Sequence, residues 1–203
     1  MAEPSTSTLQ EARFRAAVET FSAIGDNDPA KVDDHGELIP RQIAEARRLS
    51  FWIGRLENQP SLALSLAIHC QHLRRWAYDR SAFPKGRTGY LAWRKDAASK
   101  SAEEAARILA GLGFERSLIE HVVRIVTKQG IKTDRDVQTM EDALCLSFLE
   151  IDAAAFAQKH AEVETLRVLR RTWSKMSEAG RQLALELTLD PRVQDLLTRA
   201  LDG

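Results

Sequence analysis

Apolar residues along this chain recur at steps of three and four, and no stretch sustains the two-residue alternation of a half-buried strand. Phe14, Ala17, Val18, Phe21 and Ile24 form one such face behind the capping pattern Thr8–Glu11, which predicts a helix over about residues 9–24 ending at Gly25. Residues 26–36 read as an acidic loop (Asp26, Asp28, Asp33, Asp34) closed by His35. Pro40 suits the first turn of a second helix with Ile43, Leu49, Trp52, Ile53 and Leu56 inward. Ser61 caps a third, whose face Leu62, Leu66, His69, Leu73, Trp76 predicts helix through Trp76. Pro84, Gly86 and Gly89 mark residues 79–89 as a loop, and a short helix is expected near Tyr90. The capping box Ser101–Glu104 predicts a new helix ending near Gly111 and Gly113, and Ser117 starts another that stops at Gly130. A long helix is expected from Asp134 to about Lys159, another over 161–177, and two short ones split at Asp190–Pro191. The expected architecture is all-α: a disordered tail over residues 1–8, then one domain of about eight helices over 9–203.

Composition adds little to that picture and charge adds more. With 44% hydrophobic and 29% charged residues, the 203-residue chain looks like an ordinary globular protein. No window resembles a membrane span, and the polar start lacks the basic and apolar regions of a signal peptide, so a cytoplasmic protein is expected. Cys70 and Cys145 lie in apolar helical patterns and read as small buried hydrophobes. The 29 basic and 29 acidic residues cancel. Between Arg74 and Lys95, however, Arg74, Arg75, Arg80, Lys85, Arg87, Arg94 and Lys95 face Asp79 alone, a segment suited to holding an anion.

Candidate chemistry gathers at two places. His69 and His72 sit side by side at the end of the third helix, just before the basic segment. On the long helix, Glu141 and Asp142 fall on adjacent apolar stripes, where an ionised carboxylate requires a metal, a cation or a helix N-terminus as partner. Glu150 and His160 follow on the same helix. Two readings stay open for the acids: metal ligands or catalytic groups, or a structural ion pair with Arg75 or Arg94. Likewise Trp76, Tyr90, Trp93 and Trp173 are either core or binding platforms, and His160 either a ligand or a cap.

A histidine, a later histidine and a late aspartate at the spacing of His35, His69 or His72, and Asp142 resemble the HD-type metal-dependent enzymes, all-helical and mostly phosphohydrolases. The sequence departs from their adjacent His-Asp pair, since Cys70 and Leu73 follow the two histidines. A fuller resemblance is carried by Gln71-His72 with Arg75-Trp76, Pro84, Gly89-Tyr90-Leu91 with Trp93-Arg94, Lys128, Glu141-Asp142 with Cys145-Leu146, Phe148-Leu149-Glu150, Lys159-His160, and Thr172-Trp173 with Lys175-Met176-Ser177. This pattern is similar to a family of bacterial, fungal and plant proteins known as domain of unknown function 4202. Within it, His72 rather than His69 matches the family histidine. Gln42 and Ser101 stand where the family pattern has a glutamate and a histidine.

Together the residues and the resemblance imply a metal-dependent HD-like enzyme acting on a phosphorylated substrate, such as a nucleotide or RNA. His72 and Asp142, with His69 and His160, would bind a divalent metal ion such as iron or manganese, with Glu141 and Glu150 as catalytic groups. Arg75, Arg80, Arg87, Arg94 and Lys128, with Tyr90 and Trp93, would hold the substrate. The alternatives are a di-iron hydroxylase acting on a modified tRNA nucleoside, and a non-catalytic helical module that binds RNA or protein.

Overall fold

The computed structural model describes residues 6–34 and 36–202 and is all-α apart from one small hairpin. His35, the first histidine of the HD-like spacing, and residues 1–5 of the expected tail lie outside the described residues. Helix α1 (Thr6–Gly25) begins inside that tail. A hairpin follows where a loop was expected: β1 (Lys31–Asp34) pairs antiparallel with β2 (Glu37–Pro40), Val32 opposite Ile39. Four-residue strands are too short to show alternation, which is why the sequence hid them. Helix α2 (Arg41–Leu56) starts one residue later than predicted, because Pro40 closes β2.

Helix α3 (Leu62–Cys70) opens as predicted, with Leu64 N donating to Ser61 Oγ at 3.0 Å. It does not run on to Trp76. The chain leaves the helix at Cys70, and Arg74 takes a left-handed conformation (φ 51°) before a single 3₁₀ turn at Arg75–Ala77. His72 therefore lies just beyond the helix, and Trp76 is 37% exposed rather than core. A second 3₁₀ turn, Arg80–Ala82, leads to α4 (Arg87–Gly111), one continuous helix where a short one and a second capped one were expected. No glycine or proline interrupts residues 95–100, so the helix continues and Ser101 is an interior residue rather than a cap. Helix α5 (Arg116–Thr127) ends on Lys128 in the left-handed conformation.

The predicted long helix is present but interrupted. Helix α6 (Arg135–Ser147), capped by Asp134 through the Asp136 and Val137 amides, passes through a π turn at Phe148–Asp152 into α7 (Ala153–Lys159). Helices α8 (Glu162–Lys175), α9 (Glu178–Leu185) and α10 (Pro191–Asp202) complete the chain. Among the described residues, no helix is long and apolar enough to cross a membrane.

Contacts divide the chain into two units. The first comprises the described residues of Met1–Ser50 and Pro60–Gln129, the second those of Phe51–Gln59 and Gly130–Gly203. In the first, α3 packs against α1, α4 and α5, burying Leu64, Leu66, Leu73, Leu109 and Ile125. In the second, α6 packs on α8 and α9, and α10 lies along α7 and α8, around Met140, Leu146, Leu169 and Leu196.

Candidate functional site

The turn at residues 71–74, just past α3, is clamped from three helices of the first unit. Gln71 Nε2 donates to Val126 O at 3.2 Å, tying the turn to the end of α5. Ser101 Oγ donates to Leu73 O at 2.8 Å from α4, and Arg74 N donates to Gln42 Oε1 at 2.9 Å on α2. Gln42 and Ser101 thus both hold the backbone of the His72 turn. Trp93 Nε1 donates to Tyr78 O at 2.9 Å, so the start of α4 is fastened to the chain that follows.

This clamped turn presents His72 to Glu45 of α2, with Nδ1 and Oε2 2.8 Å apart. Burial alone would raise the Glu45 pKa, but the His72 charge and hydrogen bond, with Arg75 and Arg41, hold it below the usual carboxylate range. Glu45 is therefore an ionised acceptor, Nδ1 is the donor, and Nε2 carries the lone pair whenever the ring is neutral. Burial, then the nearby charges of Arg75 and Lys128, lower the His72 pKa despite Glu45, so the neutral ring predominates near pH 7. The His72 side chain remains 18% exposed.

Cations and rings surround this pair. The Arg75 guanidinium lies over the Trp93 ring at 4.9 Å from its centroid, and Arg94 lies over Tyr90 at 5.9 Å. Tyr90 and Trp93 are themselves 5.9 Å apart, and Tyr90 is 42% exposed. The first unit thereby brings together six residues singled out from the sequence: His72, Arg75, Tyr90, Trp93, Arg94 and Lys128. Sequence reasoning missed Glu45 and Arg41. The available signal was that Gln42 and Glu45 share the face of α2 that carries Leu49, an odd place for two polar residues.

The other candidates are engaged differently. Arg80 donates from Nη1 to Phe83 O and from Nη2 to Pro84 O, both at 3.0 Å, which ties it to its own loop. Arg87 is exposed on the first turn of α4. His69 meets Phe14 edge-on at 6.4 Å, and burial lowers its pKa. Cys70 is buried, with its thiol pushed up to about 12, as a structural cysteine should be.

Glu141, Asp142, Glu150 and His160 belong to the second unit. Glu141 and Asp142 are buried, as their stripes predict, but their partners are Lys175, Ser177 and Gln138 rather than Arg75 or Arg94. Lys175 Nζ lies 2.7 Å from Glu141 Oε1. Asp142 Oδ1 accepts from Ser177 N at 2.8 Å and Gln138 Nε2 at 3.0 Å, and Oδ2 accepts from Ser177 Oγ at 2.6 Å. Burial raises the Asp142 pKa in spite of these donors. Glu150 Oε2, on the π turn, accepts from Trp52 Nε1 at 3.1 Å. His160 stacks on Phe156 at 4.0 Å and faces Glu164.

The expected HD-like metal centre is not assembled within either unit: among the described residues, no three His, Cys, Asp or Glu side chains gather as a ligand set. The expected ligands are divided, His69 and His72 falling in the first unit and Asp142 and His160 in the second. At His72, Arg75 and Lys128 are also unfavourable neighbours for a divalent cation.

No curated protein and no solved structure matches this chain. A family model does, across residues 15–197: the chain belongs to the family described as Domain of unknown function (DUF4202).

Proposed function

We propose that the first unit binds a phosphorylated ligand at the His72 cluster and that His72 moves a proton during cleavage of its phosphate ester. The observation that carries this reading is the pairing of His72 Nδ1 with Glu45 at 2.8 Å inside a ring of cations. Glu45 fixes the ring so that Nε2 can take a proton from a water attacking phosphorus. The ester P–O bond breaks as the water attacks, and the alcohol oxygen leaves as an anion that solvent protonates. The lowered pKa keeps Nε2 unprotonated near neutrality. Arg75 lies over Trp93 and Arg94 over Tyr90, which places two guanidinium groups beside the pair for contact with phosphate oxygens. Among the described residues, no three His, Cys, Asp or Glu side chains gather here to hold a divalent metal.

The test is calorimetric titration with inorganic phosphate and a hydrolysis assay with a chromogenic aryl phosphate. Arg94 is exposed, so Arg94→Ala should fold normally yet weaken phosphate binding by about 1.5–3 kcal/mol, the range for a hydrogen bond to a charged group. His72→Gln should retain binding but lose turnover by about 10²–10⁴-fold, the usual contribution of a general base. Wild-type protein that binds neither ligand, or Arg94→Ala that binds unchanged, would overturn the proposal. Binding that needs added manganese or iron would instead restore a metal to the site.

A further inference from the structure

We infer that the exposed face of α4 over residues 87–95 is a docking surface for single-stranded nucleic acid. Arg87, Leu91 and Arg94 recur at steps of four and three, and Tyr90 and Lys95 flank them, so the five share one side of the helix. All five are exposed, Tyr90 by 42% and Leu91 by 40%. Among the described residues, Arg87, Arg94 and Lys95 form no ion pair, and neither does Lys85 in the loop before them. The acids nearby are engaged elsewhere. Asp79 accepts from Ser81 N and Oγ, Asp96 pairs with Lys100 at 2.8 Å, and Glu104 pairs with Arg74 at 3.1 Å. The first turn of α4 holds no acidic residue, and the helix dipole adds positive potential at that end.

The rings decide which anionic partner this surface fits. Arg75 lies over Trp93, Trp93 is 5.9 Å from Tyr90, and Arg94 lies over Tyr90, so two rings lie between two guanidinium groups. A strand whose charged phosphates alternate with flat bases matches that arrangement, with a base on the exposed ring and phosphates at the cations. From Arg87 to Arg94 the helix rises about 10 Å, the length of about three nucleotides stacked about 3.4 Å apart. A duplex keeps its base faces from such a ring. An anionic membrane calls for a continuous apolar face, and Leu91 is the only aliphatic side chain of the stripe. The surface is also preformed. Arg80 donates to Phe83 O, Pro84 O and Gly86 O, and a Cβ at Gly89 would lie 1.8 Å from Pro84 O, so glycine lets this loop close on the first turn of α4. A strand binding there has little protein to order.

This inference stands apart from ester cleavage at His72, and Arg94, which serves both readings, is left out of its test. The probe is a short oligouridylate with a fluorescent end label, titrated with the full chain and read by anisotropy over a range of salt. The same strand annealed to oligoadenylate, vesicles of phosphatidylserine in phosphatidylcholine, and a polyglutamate peptide are titrated beside it. At near-physiological salt the single strand should bind at least about tenfold more tightly than any of these. Arg87→Gln combined with Lys95→Gln should weaken oligouridylate binding at least about tenfold. It should also flatten the slope of log affinity against log salt by about 1.4, two phosphate contacts at about 0.7 each for a single strand. Tyr90→Leu keeps an apolar side chain and removes the ring, and should weaken binding at least about fivefold with the salt slope unchanged, the lower end for one stacked base. Melting curves establish that each variant is folded, and the double variant alters exposed side chains alone, so it tests the surface even if Tyr90→Leu loosens the fold. Unchanged oligouridylate binding in either folded variant overturns the inference, as does equal or tighter binding of the duplex, the vesicles or the peptide. Wild-type protein that does not bind oligouridylate overturns it too, and leaves phosphate binding at His72 to its own titration.

Discussion

Glu45 and Asp142 are both carboxylates on helices of this chain, yet their surroundings give them opposite characters. Glu45 faces a histidine and two arginines, which hold it ionised against the cost of burial. Asp142 accepts three hydrogen bonds, but burial still dominates and raises its pKa. The backbone closes tightly around Asp142. A Cβ added at Gly180 would lie 2.7 Å from Asp142 Cγ and 2.8 Å from Oδ1, so that glycine lets α9 approach the carboxylate. Gly180→Ala should therefore cost about 1–3 kcal/mol through overpacking, read as a lowered denaturant midpoint. Gly54, on α2, is the matched control, because a methyl added there would meet nothing within 4 Å. Gly54→Ala should raise stability by about 0.5–1 kcal/mol from helix propensity alone. Equal effects at the two positions would mean that the Asp142 contact is not tight.

At the scale of elements, the sequence spoke clearly wherever a local signal existed. Ser61 caps the helix it was expected to cap, and the helix expected from Asp134 does open there. It was silent on the hairpin, whose strands are four residues long, and misleading at Ser101, where a capping pattern lies inside α4. The end of α3 was misread for a related reason. Leu73 continues the apolar face, but Leu73 O accepts from Ser101 and Arg74 N donates to Gln42, so tertiary partners draw the chain out of the helix. The motif residues His72, Arg75, Trp93, Arg94 and Lys128 were legible as a set, while Glu45 was not, because its partner lies on another element.

Helix α3 also carries a pH prediction. Burial puts the His69 pKa below its ordinary 6.5. As pH falls below 6.5, the unfolded chain takes up a proton that the folded chain refuses, so the stability present above that value is progressively lost. The melting temperature should fall between about pH 7 and pH 5, and His69→Leu should make that fall shallower. His72 shifts in the same direction and leaves a remainder, whereas Glu45 acts only below its own ordinary value of 4.5. An identical slope in His69→Leu would assign the whole effect elsewhere.

For the molecule as a whole, the division into two units separates the residues that the sequence had grouped as one site. Every partner described for the His72 cluster comes from the first unit. Within the second unit Glu141 pairs with Lys175, and Asp142 accepts from Ser177 and Gln138. A structural network and a ligand site respond differently to loss of one member, and this yields the last prediction. Lys175→Met keeps the length of the side chain and removes the cation 2.7 Å from Glu141, whose side chain is 2% exposed. Breaking a buried pair typically costs about 3–5 kcal/mol, and the one-third exposure of Lys175 places this case at or below the lower end. The melting temperature should drop accordingly, while phosphate affinity, measured well below that temperature, stays at the wild-type value. Arg94→Ala should do the reverse, lowering affinity and leaving stability within about 0.5 kcal/mol, as for an ordinary surface change. If folded Lys175→Met lost phosphate binding as well, the acids of the second unit would belong to the ligand site, and the assignment of that site to the first unit alone would fail.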